Sequence, residues 1–132
     1  MFVVDAAAIV DFLLRSQPAA AWLDDEIARA GTLHSPHVLD FEVASALRRL
    51  TLRREATPRR AHAALEQLTK IRLIRYPAQR LLERMFQLRH NLTAYDAAYV
   101  ALAEALGLPL VTTDERLARS KGHSARILTP AS

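Results

Sequence analysis

Four acids stand at positions that ordinary surface chemistry does not explain. Asp5 ends the apolar run Phe2-Val3-Val4, and Asp114 follows the run Leu108 to Val111. Asp96 interrupts a segment that is otherwise almost pure alanine, leucine and tyrosine. Glu42 lies three residues after Leu39 and four before Ala46, on or beside an apolar stripe, where a solubilising glutamate would face the other way. Each has a local explanation. Thr93-x-x-Asp96 reads as a capping box, and Glu42 could meet an arginine. Four misplaced acids favour a common one, a hard divalent cation. Mg²⁺ or Mn²⁺ takes oxygen ligands from a few carboxylates and keeps room for water and a substrate phosphate. Such an ion activates water and stabilises a leaving oxygen, which is the chemistry of phosphodiester hydrolysis.

That chemistry requires the four acids to meet, so the elements that carry them matter. "FVVD" reads as a first strand and Ala6 to Leu14 as a helix. Pro18 opens a second helix that ends near Gly31. Thr32 to Ser35 reads as a strand. Pro36 then starts a helix striped by Val38, Leu39, Val43, Ala46, Leu47 and Leu50 through to about Arg54. Thr57 caps a helix from Pro58 to about Lys70, and "IRLIRYP" alternates as a strand. Pro77 to His90 reads as a helix, Thr93 to Leu106 as another closed by Gly107, and Leu110 to Thr113 as a strand. A short helix over Glu115 to Ser120 and a strand in "ARIL" finish the chain. Strands alternating with helices predict an α/β fold, a parallel sheet between helices. Ligands bind such sheets beyond the carboxyl ends of the strands, where Asp5 and Asp114 belong.

The chain has 132 residues and is 51% hydrophobic, which suits one domain with a sizeable core. Without cysteine, any metal site must use carboxylates or histidines, and the composition fits a reducing cytoplasm. The apolar N-terminus lacks a basic leader and is broken by Asp5 and Asp11, so it reads as strand and helix rather than signal peptide. No apolar run is long enough to suggest a membrane span. The net charge is +4, and of 18 basic residues only Lys70 and Lys121 are lysines. Six arginines fall between Arg48 and Arg60. Arg48, Arg49, Arg53 and Arg54 are the candidate contacts to a phosphate backbone, with a solvated helix face as the alternative. His34 and His37 read as surface histidines, and the eight aromatic side chains read as core rather than a base-stacking platform. No glycine-rich phosphate loop is present.

The strings "VVDAAAIVDFL" and "LTAYDAAYVALAEALGLPLVTTDERLA", a glutamate on the third or fourth helix and the total length resemble the PIN domain, specifically the VapC-type toxins of bacterial toxin–antitoxin pairs. The resemblance covers essentially the whole chain and is strongest over residues 91 to 118. It implies a three-layer α/β/α fold and a Mg²⁺- or Mn²⁺-dependent endoribonuclease. The metal-binding, catalytic acids would be Asp5, Glu42, Asp96 and Asp114, supported by the hydroxyls of Thr112 and Thr113. It also implies an RNA substrate, a homodimer and a small antitoxin partner, possibly within a larger complex. One position departs from the pattern: the serine common two residues after the first aspartate is Ala7. Two other classes stand beside this reading. One is a binding module of the same fold that engages RNA or antitoxin without turnover. The other is a phosphoryl-accepting receiver, which the lone Asp5 and the placement of the two lysines disfavour.

Overall fold

The computed structural model describes residues 1–130. Its five strands, β1 (Phe2–Val4), β2 (Leu33–Pro36), β3 (Leu73–Tyr76), β4 (Leu110–Val111) and β5 (Ile127–Leu128), form one parallel sheet in the order β3-β2-β1-β4-β5. The central strands are short apolar runs buried on both faces, as a parallel sheet demands.

Seven helices connect them: α1 (Ala6–Leu13), α2 (Ala19–Ala30), α3 (Val38–Leu52), α4 (Pro58–Lys70), α5 (Leu82–Gln87), α6 (Ala94–Leu106) and α7 (Glu115–Ala118). Helix α1 packs on α2, α3 and α4, whereas α5 packs on α6, which lies against β1, β2 and β4. The chain moves from β1 outward to β2 and β3, then returns across the sheet to β4 and β5. Right-handed crossovers in opposite directions put their helices on opposite faces, which gives the three layers. The reversal between β1 and β4 opens a crevice at the carboxyl edge of the sheet.

The core runs through Val3, Val4, Ile9, Leu39, Val43, Val100, Leu110 and Val111, all fully or almost fully buried. Helix α6 buries every residue from Ala97 to Ala103, and Gly107 ends it in the left-handed conformation at φ 65°. No described helix is long and apolar enough to cross a membrane.

Three of the boundaries that differ from the sequence reading have a clear physical cause. Pro36 does not start a helix; it is the last residue of β2 and pairs with Tyr76. The ladder there uses the next amide, His37 N–H to the Tyr76 carbonyl at 2.9 Å, so a residue without an N–H is tolerated. The expected helix from Pro77 to His90 is a 3₁₀ turn at Gln79–Leu81 followed by the short α5. Leu82 and Phe86 remain exposed, so little burial favours a longer helix. Helix α3 stops at Leu52, before Arg54, which takes a positive φ of 59°.

Candidate active site

Asp5 is held in the crevice by one local hydrogen bond and one from a distant part of the chain. It leaves β1 and caps α1, its Oδ1 accepting the Ala8 amide at 2.9 Å. Its Oδ2 accepts a short hydrogen bond from the Thr112 hydroxyl across the sheet. Thr112 is fully buried at the end of β4, and its Oγ1 also accepts the Asp114 amide at 2.9 Å. One hydroxyl therefore ties the first acid to the backbone of the last. Asp5 is 5% exposed, and burial raises its carboxyl pKa to about 7. The bonds from Thr112 and Ala8 oppose that rise, and the charges of Asp114 and Asp96 add to it. Among the described residues, no cation bonds to Asp5.

Glu42 projects from α3 toward α6 and accepts the Tyr99 hydroxyl at 2.6 Å. It is half-buried, and burial raises its carboxyl above the ordinary range. The Tyr99 bond works against that rise, while the charge of Asp96 reinforces it. Tyr99 lies one turn after Asp96 on α6, so α6 contributes an acid and the hydroxyl that orients another. Burial and the bond to Glu42 push the Tyr99 phenol upward, which keeps it a donor.

The other two acids differ. Asp96 lies in the first turn of α6, where Thr93 caps the helix by accepting the Asp96 amide. Asp114 caps α7, its Oδ1 accepting the amides of Arg116 and Leu117 at 2.9 and 3.4 Å. Their Oδ2 atoms share one cation: Arg116 Nη2 lies 2.8 Å from Asp96 and 3.3 Å from Asp114.

All four acids line one cleft of about 560 Å³. Ala7 and Thr113 line it too, and Thr112, one residue before Thr113, supplies the hydroxyl that orients Asp5. Of the candidate arginines, Arg49 and Arg53 border the cleft one helical turn apart, with Ser45 a turn before them. Arg48 is not on its wall, and Arg54 lines a separate hollow with Arg60. Among the described residues, no three acids or histidines are arranged to hold an ion as the side chains rest. Asp96 and Asp114 are turned onto Arg116, and Glu42 onto Tyr99.

The PIN domain family matches residues 2–122. This chain belongs to that family. Among PIN-domain relatives, Ribonuclease VapC1 of Mycobacterium tuberculosis is 48% identical over 121 residues, spanning 91% of this chain and 90% of that protein. Ribonuclease VapC9 of the same species is 44% identical over 117 residues, 89% of this chain and 88% of that one. PAE2754 from Pyrobaculum aerophilum superposes with a TM-score of 0.68 at 28% identity, covering 96% of this chain and 82% of that one. VapBC2 from Rickettsia felis, solved bound to a promoter DNA fragment, shares the fold at a TM-score of 0.68 and 12% identity over 97% of each chain.

Two residues of the PIN cleft escape a reading by residue type. Arg116 lies inside the motif that carries the resemblance, two residues after Asp114, yet nothing in its type says that it turns back onto two acids. Tyr99 has a signal, since it follows Asp96 at helical spacing. Two expectations need correction. His34 is not a surface residue; it is buried in β2, and its Nδ1 lies 2.7 Å from the Tyr76 hydroxyl. His37 is exposed, as expected. The aromatic residues are not uniformly core, because Phe41, Phe86 and Tyr95 are exposed.

Proposed function

We propose that this PIN domain is an endoribonuclease of the toxin type, which hydrolyses RNA phosphodiesters with Mg²⁺ or Mn²⁺ held by Asp5, Glu42, Asp96 and Asp114. The observation that carries the reading is the convergence of four carboxylates, from β1, α3, α6 and the end of β4, on one cleft at the switch point of the sheet. The donors are all hard oxygens, which fits these ions. Asp5 is buried with no cation of its own, and a guanidinium already bridges Asp96 and Asp114, so the site calls for positive charge. The ribonuclease names of relatives up to 48% identical point the same way.

When bound, the cation supplies an activated water and charge stabilisation for the leaving oxygen. The protein's share is orientation. Thr112 and the Ala8 amide fix both oxygens of Asp5, and Tyr99 fixes Glu42, so the acids lose little freedom on loading. Arg49 and Arg53 offer guanidinium forks where an RNA backbone enters, and Arg48 and Arg54 extend the basic surface beyond the cleft. A small antitoxin is the expected partner of a homodimer, and an arginine or lysine of that antitoxin would take the acidic cleft in competition with metal.

The test is cleavage of RNA with Mn²⁺, with and without chelator, for wild type and Asp96→Asn. Thr93 caps α6 through the Asp96 amide, which Asp96→Asn retains, so loss of cleavage reports a ligand rather than a lost cap. Products should carry 5′-phosphate and 3′-hydroxyl ends, because water rather than the ribose 2′-hydroxyl is the nucleophile. A 2′,3′-cyclic phosphate contradicts the mechanism. RNA binding without Mn²⁺-dependent cleavage supports the binding-module reading instead, in which Arg116 keeps the acids neutralised.

A further inference from the structure

Three arginine–carboxylate pairs in this fold can be compared atom by atom. Arg84 meets Glu104 through Nε and Nη2 at 2.8 and 2.9 Å, and Arg75 meets Asp40 through the same two nitrogens at 2.7 and 3.0 Å. Both are forks, the geometry that holds a carboxylate most firmly. Arg116 makes no fork. A single nitrogen, Nη2, reaches two different acids, Asp96 at 2.8 Å and Asp114 at 3.3 Å, and its side chain is 64% exposed.

We infer that Arg116 is the resident counter-ion of the cleft: it occupies the Asp96 and Asp114 oxygens in the absence of metal and yields them to an arriving divalent cation. It thereby sets the metal concentration at which the site fills. The inference rests on the metal reading proposed above and gives Arg116, which entered there only as a sign of the site's charge, a role of its own.

The bonding around Arg116 supports exchange over permanent bracing. Arg116 engages Oδ2 of both acids, and in Asp114 that is the oxygen not used to cap α7. Asp114 keeps its place through Oδ1, which accepts the Arg116 and Leu117 amides, so its position does not depend on the guanidinium. Asp96 is positioned by the first turn of α6, whose cap is Thr93. An exposed guanidinium can swing into water at little desolvation cost, which a buried one cannot. Among the described residues, the inner pair, Asp5 and Glu42, is bonded only to hydroxyls and an amide. Among the described residues, Arg116 is therefore the one cation hydrogen-bonded to the four-acid cluster, although Arg49 and Arg53 border the same cleft.

The two possible roles predict opposite signs. A brace that preorganises the acids would, on removal, weaken metal binding. A competing counter-ion would, on removal, strengthen it. The measurement is calorimetric titration of the full chain with Mn²⁺, without RNA and at low salt, for wild type, Arg116→Gln, Arg116→Lys and Asp5→Asn. Arg116→Gln should bind Mn²⁺ about two- to fivefold more tightly, the range expected of an exposed ion pair. Its gain in melting temperature on adding Mn²⁺ should exceed that of wild type. Arg116→Lys, which keeps the charge, should lie between, and the differences should shrink as salt rises. Equal or weaker binding by Arg116→Gln overturns the inference. The Asp5→Asn arm separates the two failures. If it binds Mn²⁺ as wild type does, or if no protein binds Mn²⁺, the metal reading falls and takes the inference with it. If it loses binding while Arg116→Gln matches wild type, the inference alone falls.

Discussion

Glu104 and Asp5 are both shielded acids held by hydrogen bonds, yet their surroundings push them in opposite directions. Glu104, near the end of α6, receives a two-pronged fork from Arg84 and bonds from the Ser124 amide and hydroxyl at 2.9 and 3.0 Å. The Arg84 bond outweighs its burial and holds its carboxyl down at about 2. Asp5, at the end of β1, receives one hydroxyl and one amide and no cation, and burial lifts it to about 7. A carboxylate whose work is structural comes with its own positive charge. One left without a cation, with like charges beside it, destabilises the fold unless a cation or proton arrives. The contrast separates an acid paired within the fold from one whose charge the fold leaves uncompensated and which, on the proposed metal reading, is held in readiness for a cation.

The largest effect should come from the readiness side. Asp96→Asn and Asp5→Asn should reduce Mn²⁺-dependent RNA cleavage beyond the roughly 10- to 100-fold that loss of a supporting partner costs. Glu104→Gln should leave cleavage at saturating metal close to wild type. Similar losses in all three variants would erase the distinction between the two kinds of acid. Thr112→Val tests the hydroxyl joining Asp5 to the Asp114 amide, and cleavage should drop by about 10- to 100-fold with unchanged product ends. Retained activity would assign that hydroxyl to the fold alone.

Stability should show the reverse ranking. Glu104→Gln loses a charge-assisted fork on a partly exposed arginine, and unfolding in denaturant should show a loss of about 1–2 kcal/mol. Its carboxyl is depressed in the fold, so this stabilisation is present above the unfolded value of 4.5 and disappears as pH falls toward 2. Asp5 has the opposite sign. Its folded carboxyl lies above its unfolded value of 3.8, so the native state holds the proton more tightly, and metal-free stability should decline as pH rises through about 7. Asp5→Asn keeps an oxygen for the Ala8 amide and should remove that decline, while gaining little melting temperature from Mn²⁺. Melting curves between pH 4 and 8, with chelator and with Mn²⁺, check both. A metal-free Asp5→Asn protein that is less stable than wild type at pH 8 would count against the uncompensated-charge account.

The smallest effect concerns the arginines. Replacing Arg49 and Arg53 by alanine should flatten the salt dependence of RNA binding, by about 0.7 in the logarithmic slope for each phosphate that is no longer neutralised. The same change at Arg48 and Arg54, which lie off the cleft, should flatten it less. Equal slopes for the two pairs would return the cluster to a solvated helix face.

Much of the fold was legible because its signals are local. Thr57 before Pro58, Thr93 three residues before Asp96, and Gly107 after Leu106 mark helix ends through caps and a left-handed turn. The apolar runs at Phe2–Val4 and Leu110–Val111 mark strands that only a doubly covered sheet can bury. Pro36 misled because proline tolerates either a helix start or a strand end, and the pairing with Tyr76 decided between them. His34 misled because burial beside Tyr76 is a property of β2 and β3 packed together.

The candidate site divides in the same way. The four acids could be singled out only as a set, since each also has a local explanation: Asp5 and Asp114 cap helices, Asp96 lies in a first turn and Glu42 could meet an arginine. Their meeting could be expected from strand ends sharing one sheet edge. The bonds they make could not. Thr112 reaches Asp5 across 107 residues of chain, and Tyr99 reaches Glu42 across 57. Arg116 reaches back 20 residues to Asp96. Sequence alone determined the elements and the chemistry of the donors, because caps, turns and periodicity act over a few residues. Which acids carry a cation and which are stripped of water was decided by tertiary structure, because desolvation and charge pairing depend on what the whole chain brings within a few ångströms.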